Sequence, residues 1–372
     1  MAKGIYTKFQ EYLKDFSPVS CSIKDANCVY IIYEDDIENS KDNEHGSSIG
    51  FYYPKTERVW GASSYGGIIH LKGVVLSDGS YIVVSRSGDV IAQKNKVDDS
   101  VKPTFNFEYS IPILKNCPIM RIRHIAGKAY IAANWRTVFR RDGIDNWAVL
   151  HGNDPSQVEI QQKQNRELGF NDIGGFSEND IYACGGQGDL WHFNGKKWSE
   201  LDLPTNIEFK SLCCAPNGKI YIGCENGTLI EGINEQWNIL ETKAANIDIT
   251  DMTWYKDKLY LACGMYGLYV FDMDVIKPAP GLSSLGSIAT RESNLTDGNK
   301  NALKAAGGDE GTIELVDVVN VDSNILAPAS LHTLSTDGDI LLAAGTDKVA
   351  SFDGEKWKIL YAPYGVNMGG QL

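Results

Sequence analysis

The sequence lacks the long apolar segments and the short motifs by which many protein classes are recognised. No stretch approaches about 18 consecutive apolar residues, and the N-terminal stretch MAKGIYTKFQEYLKDF has no uninterrupted apolar run of the kind that a signal peptide requires. No Walker-type loop, G-x-S-x-G, H-E-x-x-H or EF-hand pattern occurs. We therefore expect a cytoplasmic protein that does not span a membrane and is not an enzyme.

The sequence also has fewer basic than acidic residues. The chain has 35 Lys and Arg residues against 48 Asp and Glu, a net charge of −13, which repels nucleic acids and anionic lipids and attracts basic proteins. Eight cysteines are present, but none forms a C-x-x-C pair or a Cys/His ligand spacing, and a chain of 372 residues does not need disulfides to fold. We expect free thiols, no metal, no cofactor, and neither nucleic acid nor a membrane as partner.

What the sequence does contain is an internal repeat. The segments SENDIYACGGQGDLWHFNGKKWSEL, APNGKIYIGCENGTLIEGINEQWNIL and STDGDILLAAGTDKVASFDGEKWKIL share two apolar runs, intervening turns and a late tryptophan. Three pairs are each 16 residues apart: Tyr182 and Trp198, Tyr221 and Trp237, Leu341 and Trp357. The anchor residue of the first run recurs seven times: Tyr30, Tyr81, Tyr130, Tyr182, Tyr221, Tyr260 and Leu341.

Each repeat carries four short apolar runs separated by turn residues, which is typical of one propeller blade. We predict an all-β, seven-bladed β-propeller of four-stranded antiparallel blades, forming a single domain over residues 1–372. A helix is expected in residues 1–17, because Ile5, Phe9, Tyr12, Leu13 and Phe16 share one helical face and can cover a blade edge. The blades are expected in residues 18–363, followed by a tail over 364–372.

Three segments interrupt the repeat. Residues 34–46 form an acidic insertion between the second and third strands of blade one, and residues 151–168 form a long polar link into blade four. For both, a functional loop and a disordered one remain alternatives. Residues 274–311 are rich in Gly, Ser and Pro, and we predict a flexible insertion between the third and fourth strands of blade six, with the run 312–319 as the fourth strand.

The sequence shows no reaction centre. His70, His124 and His332 lie in presumed innermost strands, but they precede their anchors by different numbers of residues and share no register. No pair of acidic residues has a spacing that marks an acid/base couple. A cluster of arginines and carboxylates at the propeller axis would contradict this expectation.

The stretch SENDIYACGGQGDLWHFNGKKW resembles bacterial propeller repeats of the form S-x-x-D-[IV]-[WY]-A-x-G, which are described as sialidase-like or WD40-like. A sialidase requires three arginines converging on the substrate carboxylate, whereas the arginines here cluster in blade three and are nearly absent from blades four to seven. The chain is also similar to propellers that act as immunity proteins beside type VI or Rhs toxins. This resemblance implies non-enzymatic binding of one protein partner, a basic toxin domain. A general interaction scaffold and a sialidase-like glycan-binding or hydrolytic propeller are the alternatives.

We label the strands of a blade A to D from the axis outwards, and we predict that the partner binds the face that carries the B–C turns. Rigid blades hold these turns in place, so little ordering entropy is lost on binding. The candidate contacts are Asp35, Asp36, Glu38, Arg86, Trp135, Arg136, Gln187, Glu225, Asn226, Met265, Tyr266 and Asp347. Trp135, Met265 and Tyr266 are the predicted apolar anchors, with packing against a neighbouring blade as the alternative.

Overall fold

The innermost strand of each blade lies at a common axis, and the chain returns outwards through three further strands before it enters the next blade. The computed structural model describes residues 2–35, 45–53, 60–94, 104–114, 117–163, 168–203, 205–233, 236–242, 247–272, 275–278, 310–313, 331–346 and 348–363. These residues form seven sheets, each built on four antiparallel strands in sequence order, and the sheet of blade five has a fifth strand added in parallel at its outer edge. The predicted seven-bladed propeller is confirmed.

Helix α1 spans Ala2–Tyr12 and precedes the first three blades. Blade one contains β1 (Phe16–Asp25), β2 (Cys28–Asp35), β3 (Gly46–Tyr52) and β4 (Trp60–Gly66). Blade two contains β5 (Lys72–Val75), β6 (Tyr81–Val84), β7 (Val90–Gln93) and β8 (Asn106–Glu108). Blade three contains β9 (Ile119–Ile125), β10 (Lys128–Ala133), β11 (Thr137–Gly143) and β12 (Asn146–His151).

Helix α2 (Pro155–Lys163) leads into the remaining blades. Blade four contains β13 (Phe170–Ser177), β14 (Asp180–Gly185), β15 (Leu190–Phe193) and β16 (Trp198–Glu200), and blade five contains β17 (Phe209–Cys214), β18 (Ile220–Cys224), β19 (Thr228–Ile233) and β20 (Gln236–Thr242). Blade six contains β21 (Asp251–Tyr255), β22 (Lys258–Ala262), β23 (Leu268–Asp272) and β24 (Val275–Pro278). After β25 (Glu310–Ile313), blade seven contains β26 (Leu331–Thr336), β27 (Leu341–Gly345), β28 (Lys348–Phe352) and β29 (Trp357–Tyr361).

The repeated tyrosines lie in strand B, where they pack between neighbouring blades. Tyr30 of blade one stacks on Tyr81 of blade two with ring centroids 4.1 Å apart and an interplanar angle of 6°, and both side chains are fully buried. The A–B turns of blades two, five and seven are tight. Gly79, Gly218 and Gly338 lie in them with positive φ angles, which residues that carry a Cβ rarely adopt.

The ring closes without strand exchange, because the described strands of blade one pair only with one another and so do those of blade seven. Helix α1 covers this junction: the Phe9 ring lies 4.9 Å from the Trp60 ring and 5.7 Å from the Tyr361 ring. The helix expected over residues 1–17 is shorter than predicted, since it ends at Tyr12 and Phe16 already begins β1. Strand β1 needs these residues for its pairing with β2.

The polar link 151–168 contains a helix, which corrects the expectation of a long loop. Helix α2 begins at Pro155, and the preceding Asp154 side chain accepts a hydrogen bond from the Ser156 backbone N–H at 2.9 Å. Asp at the N-cap followed by Pro is a typical helix start, because the carboxylate satisfies an unpaired N–H and Pro lacks one. None of the described helices combines the length and the apolar character needed to cross a membrane.

The insertion predicted within blade six follows that blade instead. Strand β24 pairs antiparallel with β23, from Asp272↔Val275 to Tyr269↔Pro278, and completes the blade before the insertion begins. The run 312–319 is therefore not the fourth strand: Thr312 and Ile313 belong to β25, which pairs in parallel with β20 at the outer edge of blade five. The rest of the segment between β24 and β25, like the predicted tail over 364–372, lies outside the described residues.

Candidate functional site

The predicted partner face is formed by the B–C turns and the links between blades. The described candidate contacts occupy those turns: Arg86 in blade two, Trp135 and Arg136 in blade three, Gln187 in blade four, Glu225 and Asn226 in blade five, Met265 and Tyr266 in blade six. Asp35 ends strand B of blade one. Asp36, Glu38 and Asp347 lie outside the described residues.

Two of these turns share one geometry. In blades four and five, a single 3₁₀ turn (Gly186–Gly188 and Glu225–Gly227) joins strands B and C. The central residues Gln187 and Asn226 have φ angles of 59° and 58°, the left-handed conformation, and their side chains are exposed. The left-handed conformation is unfavourable for residues other than glycine. It persists here because the paired strands on either side hold the turn in place. Both turns therefore lie in fixed positions on the predicted partner face.

The B–C turn of blade six carries exposed apolar side chains. Met265 is 68% exposed and Tyr266 is 42% exposed. The turn is closed by backbone hydrogen bonds from Tyr266 to Cys263 at 3.0 Å and from Gly267 to Gly264 at 3.0 Å. Exposed aromatic and methionine side chains on a fixed turn are typical of interface anchors. Binding then costs the conformational entropy of the side chain but little of the backbone.

Trp135 occupies the predicted turn, but its side chain points into the protein. It is only 8% exposed and lies in one buried cluster with Val158 of helix α2 and Phe139 of β11. The structure therefore matches the packing alternative for Trp135, and Met265 and Tyr266 remain the exposed apolar candidates.

Arg136 is held between blades three and four. Its Nε and Nη2 donate to the two carboxylate oxygens of Asp189 at 2.7 and 2.8 Å, and Nη2 also donates to Glu200 at 3.1 Å. The guanidinium lies 4.9 Å from the centre of the Trp191 ring, a cation–π contact. These contacts fix the arginine at the edge of the partner face.

Sequence reasoning missed a ring of polar side chains at the axis. In five blades strand A contains a β-bulge, and the first residue after it is polar: Ser20, Arg121, Asp172, Ser211 and Thr333. In blade six, Asp251 begins strand A. A bulge re-aims the side chain that follows it, and this is how a polar residue in each of these five blades reaches the axis.

These side chains join neighbouring blades to one another. Asp172 accepts a hydrogen bond from the backbone N–H of Leu212 at 3.0 Å, and Asp251 accepts one from that of Leu334 at 2.9 Å. Ser211 donates to a backbone carbonyl of the next blade at 2.7 Å, and Thr333 accepts from a backbone N–H of blade one at 3.1 Å. From blade four round to blade one, each junction is bridged by one such bond.

Arginines and carboxylates do cluster at the axis, contrary to the expectation from sequence. Arg123 donates to both oxygens of Asp172 at 2.9 and 2.7 Å and to Asp251 at 2.6 Å. Arg121 lies 3.6 Å from Asp172. The partners come from blades three, four and six, 49 and 128 residues apart in sequence, so no local spacing reveals them.

The two arginines of this cluster favour the ionised form of Asp251. Burial alone raises the pKa of Asp251, but Arg123 and Arg121 hold it below its usual value. Both carboxylates are buried, and a buried charge is stable only when it is paired and hydrogen-bonded. The three histidines do not join the cluster as a group, since His70 pairs with Glu34 at 3.3 Å and His124 contacts Ser77 at 2.8 Å.

The opposite face, which carries the A–B turns, has a cavity. A groove of about 310 Å³ lies between blades four and five, with Phe176, Ile233 and Trp237 on its walls. The Asp180 carboxylate and the His192 ring meet in it at 2.8 Å. The A–B face is therefore a second surface against which the predicted partner face has to be compared.

Thiol and metal chemistry find little support in this part of the chain. All eight cysteines are free, six of them buried, and burial raises the pKa of the Cys117 thiol to about 11 and that of Cys213 to about 12. Within the ranges described above, no group of three or more His, Cys, Asp or Glu side chains is placed to hold a metal ion.

Comparisons with known proteins agree with the fold and point to one relative. No protein-family model matches the sequence. Over 140 residues the chain is 32% identical to the immune protein Tsi7 of Pseudomonas aeruginosa, and the match covers 37% of this chain and 44% of that protein. The chain thus aligns with less than half the length of this relative.

Three solved structures share the propeller fold at low sequence identity. The WD40 β-propeller domain of Doa1 gives a TM-score of 0.54 at 10% identity, covering 92% of this chain and 95% of that one. The computationally designed Ika8 protein gives 0.52 at 11% identity, with coverages of 93% and 86%. YCF48 bound to a D1 peptide gives 0.50 at 12% identity, with 90% of each chain covered. These similarities establish the fold alone.

Proposed function

We propose that this chain is an immunity protein that binds one cognate toxin domain on its B–C face and thereby blocks the toxin without chemistry of its own. The observation that carries the proposal is the 32% identity to the immune protein Tsi7 over 140 residues. Because the match covers 44% of that protein, the partner and its activity are part of the proposal. A basic, cytoplasm-acting toxin delivered by type VI secretion is the specific form we propose.

The B–C face has the properties that such binding requires. Its turns are held in left-handed backbone conformations, and Met265 and Tyr266 stand out from one of them. Docking onto preformed turns costs little conformational entropy, which supports tight binding by a modest surface. The net charge of −13 accelerates the approach of a basic partner and disfavours acidic ones.

The axial cluster is the feature that an enzymatic function would use, and its geometry supports a structural role. Asp172 and Asp251 accept hydrogen bonds from Arg123 and from backbone N–H groups on both of their oxygens. With its pKa lowered, Asp251 stays ionised at neutral pH and has no proton to donate. We therefore propose that the cluster holds the blades together and does not catalyse a reaction.

The first experiment identifies the partner. The chain is purified from its native host under mild conditions, and each co-eluting protein is then expressed in a test strain with and without the chain. One companion that stops growth alone and loses its toxicity with the chain present supports the proposal. Several companions without toxicity instead support the general scaffold.

The hydrolytic alternative has its own test. A fluorogenic sialoside is incubated with the purified wild-type chain and with Arg136→Ala, since that arginine is exposed at 21% in the ion pair with Asp189. Our proposal predicts no hydrolysis by either protein. Hydrolysis by the wild type that disappears in the variant would replace the binding function by an enzymatic one.

A further inference from the structure

The groove between blades four and five has aromatic walls and one carboxylate. Phe176, Tyr182 and His192 of blade four and Trp237 of blade five supply the rings, and Asp180 supplies the carboxylate. The side chain of Asp180 is 41% exposed, so a ligand can reach it from solvent. The volume of about 310 Å³ lies at the lower end of the range of ligand pockets and is sufficient for one long side chain.

The next junction round the ring has an additional aromatic side chain at the corresponding place. Between blades five and six, the Trp254 ring stacks on the Tyr221 ring, with centroids 6.1 Å apart and an interplanar angle of 20°. Cys214 of blade five occupies the position of Trp254, three residues after the axial residue of strand A. The junction of blades four and five therefore lacks the indole that covers the repeated tyrosine in the next junction, and Tyr182 lines the groove instead.

The groove also carries a negative charge that no cation of the described chain neutralises. One oxygen of Asp180 accepts a hydrogen bond from Nε2 of His192 at 2.8 Å. No lysine or arginine among the described residues forms an ion pair with Asp180, and Lys219 at the rim of the groove is paired with Glu231 at 2.8 Å. A neutral imidazole donates an N–H without cancelling the charge of the carboxylate, so the groove attracts a cation.

A contact elsewhere in the propeller shows which cation suits rings beside a carboxylate. The guanidinium of Arg136 lies 4.9 Å from the centre of the Trp191 ring while its Nε and Nη2 donate to Asp189. A guanidinium is planar, so it can stack on an aromatic ring and donate to a carboxylate at the same time. The groove offers both of these elements, a carboxylate and accessible rings.

We propose that the groove between blades four and five binds an arginine side chain of another protein, with its guanidinium paired to Asp180 and stacked on a ring of the wall. The methylene groups of the arginine pack against the apolar side chains of the groove, among them Phe176 and Ile233. The site lies on the A–B face, opposite the predicted toxin face. The arginine belongs to a partner other than the toxin, and the site does not depend on toxin binding.

The test is a ligand-observed NMR titration of the full chain with blocked tripeptides Gly-X-Gly, in which X is arginine, lysine or citrulline, the neutral analogue of arginine. It is run at pH 8, where a histidine ring is ordinarily neutral. Wild type is compared with Asp180→Asn, which removes the charge but keeps an oxygen to accept from His192. The matched control is Asp339→Asn, which removes an exposed carboxylate from the A–B turn of blade seven.

We expect the arginine peptide to bind wild type and Asp339→Asn equally, with a Kd on the order of 1 mM. Binding to Asp180→Asn should be about fivefold weaker or more, and the citrulline peptide should lose a similar factor on wild type. Equal binding of the arginine peptide by wild type and Asp180→Asn overturns the proposal, and equal binding of the lysine peptide overturns the assignment to arginine. Absence of any binding of the arginine peptide to wild type also overturns it, whether or not the variants fold.

Discussion

The guanidinium of Arg123 donates two parallel hydrogen bonds to the carboxylate of Asp172, from Nε at 2.9 Å and from Nη2 at 2.7 Å. The two residues lie on the innermost strands of blades three and four, so the pair ties one blade to the next. Asp172 is completely buried. A bidentate, buried pair of this kind is geometrically specific, and its loss leaves a charge without a partner.

Removal of one member of this pair is expected to destabilise the propeller strongly. Asp172→Ala leaves Arg123 only partly compensated, and we expect a loss of about 3–5 kcal/mol in the free energy of unfolding. Glu200→Ala removes an exposed carboxylate from Arg136, and we expect a loss below about 1 kcal/mol. Denaturant unfolding of the two variants checks this contrast, and similar small losses in both would show that the axial pair contributes little.

Helix α1 at the ring junction carries one buried and one exposed aromatic residue, and truncation of each should have a different effect on stability. Phe9 is buried against the rings of Trp60 and Tyr361, and we expect Phe9→Ala to cost about 3–5 kcal/mol. Tyr12 on the same helix is 57% exposed, and Tyr12→Ala should cost less than about 1 kcal/mol. Thermal unfolding of both variants measures the difference. If Phe9→Ala unfolds at the wild-type temperature, α1 does not stabilise the closed ring.

The choice of binding face is tested by two aromatic residues of nearly equal exposure. Tyr266 on the B–C face is 42% exposed and Phe176 on the A–B face is 40% exposed. Once the partner is identified, we expect Tyr266→Ala to weaken its binding about tenfold or more and Phe176→Ala to leave it unchanged. Calorimetric titration gives both affinities. The reverse result would move the binding site to the groove between blades four and five.

The acidic insertion of blade one is expected to steer a basic partner. Asp36→Lys with Glu38→Lys should slow association and reduce its salt dependence, while the dissociation rate changes little. Asp35 is kept, because its carboxylate accepts the Gly46 backbone N–H at 3.1 Å and holds strand β3 in place. Stopped-flow measurements at two salt concentrations test this, with Glu355→Lys on the opposite face as control. Equal rates for wild type and the double variant would exclude this insertion as the steering element.

Lys72 gives the stability of the chain a defined pH dependence. Its pKa is lowered from the usual 10.5 to about 8 in the folded state, by burial and then by Arg121. Between about pH 8 and pH 10.5 the unfolded chain binds more protons at this position, so the wild type gains stability with rising pH. Below pH 8 the lysine is charged in both states and the cost of its burial is present in full. The charged and titratable groups that influence Lys72 are Arg121, Arg86, Asp251, Glu34 and His332.

Lys72→Gln removes the pH-dependent contribution of Lys72 to the free energy of unfolding and leaves the other titratable groups in place. The difference in unfolding free energy between wild type and Lys72→Gln should therefore shift in favour of the wild type as the pH rises from 8 to 10.5. Denaturant titrations at several pH values measure it. A constant difference over this range would show that Lys72 keeps an ordinary pKa.

The blade architecture could be predicted because its signal is local. Tyr182 and Trp198 mark strands B and D of one blade, and their 16-residue interval reflects two hairpins that every blade must form. The B–C turns follow from the same register, which is why the predicted contact residues that are described lie on one face. The exposure of these residues did not follow from the register: Trp135 lies in a buried cluster that includes Val158 of helix α2, whereas Met265 in the corresponding turn of blade six is exposed.

The missed features depend on contacts between distant parts of the chain. The axial ring arises from bulges in strand A, and a bulge shifts the register by one residue without a clear mark in the sequence. Arg123 and Asp251 meet although 128 residues separate them. Asp154 and Pro155 mark the start of α2 in the sequence, but the helix has no clear amphipathic pattern, since Val158 is buried and Ile160 is 46% exposed.

Blades one and seven meet face to face, and no described strand of one sheet is hydrogen-bonded into the other. Gln10 of α1, which donates to the Ala362 carbonyl at 2.8 Å, and the aromatic contacts of Phe9 span the join. Moving blade one away from blade seven would break these side-chain contacts and no backbone ladder between the two described sheets. The molecule should therefore open mechanically at this seam, with each of its seven sheets still intact.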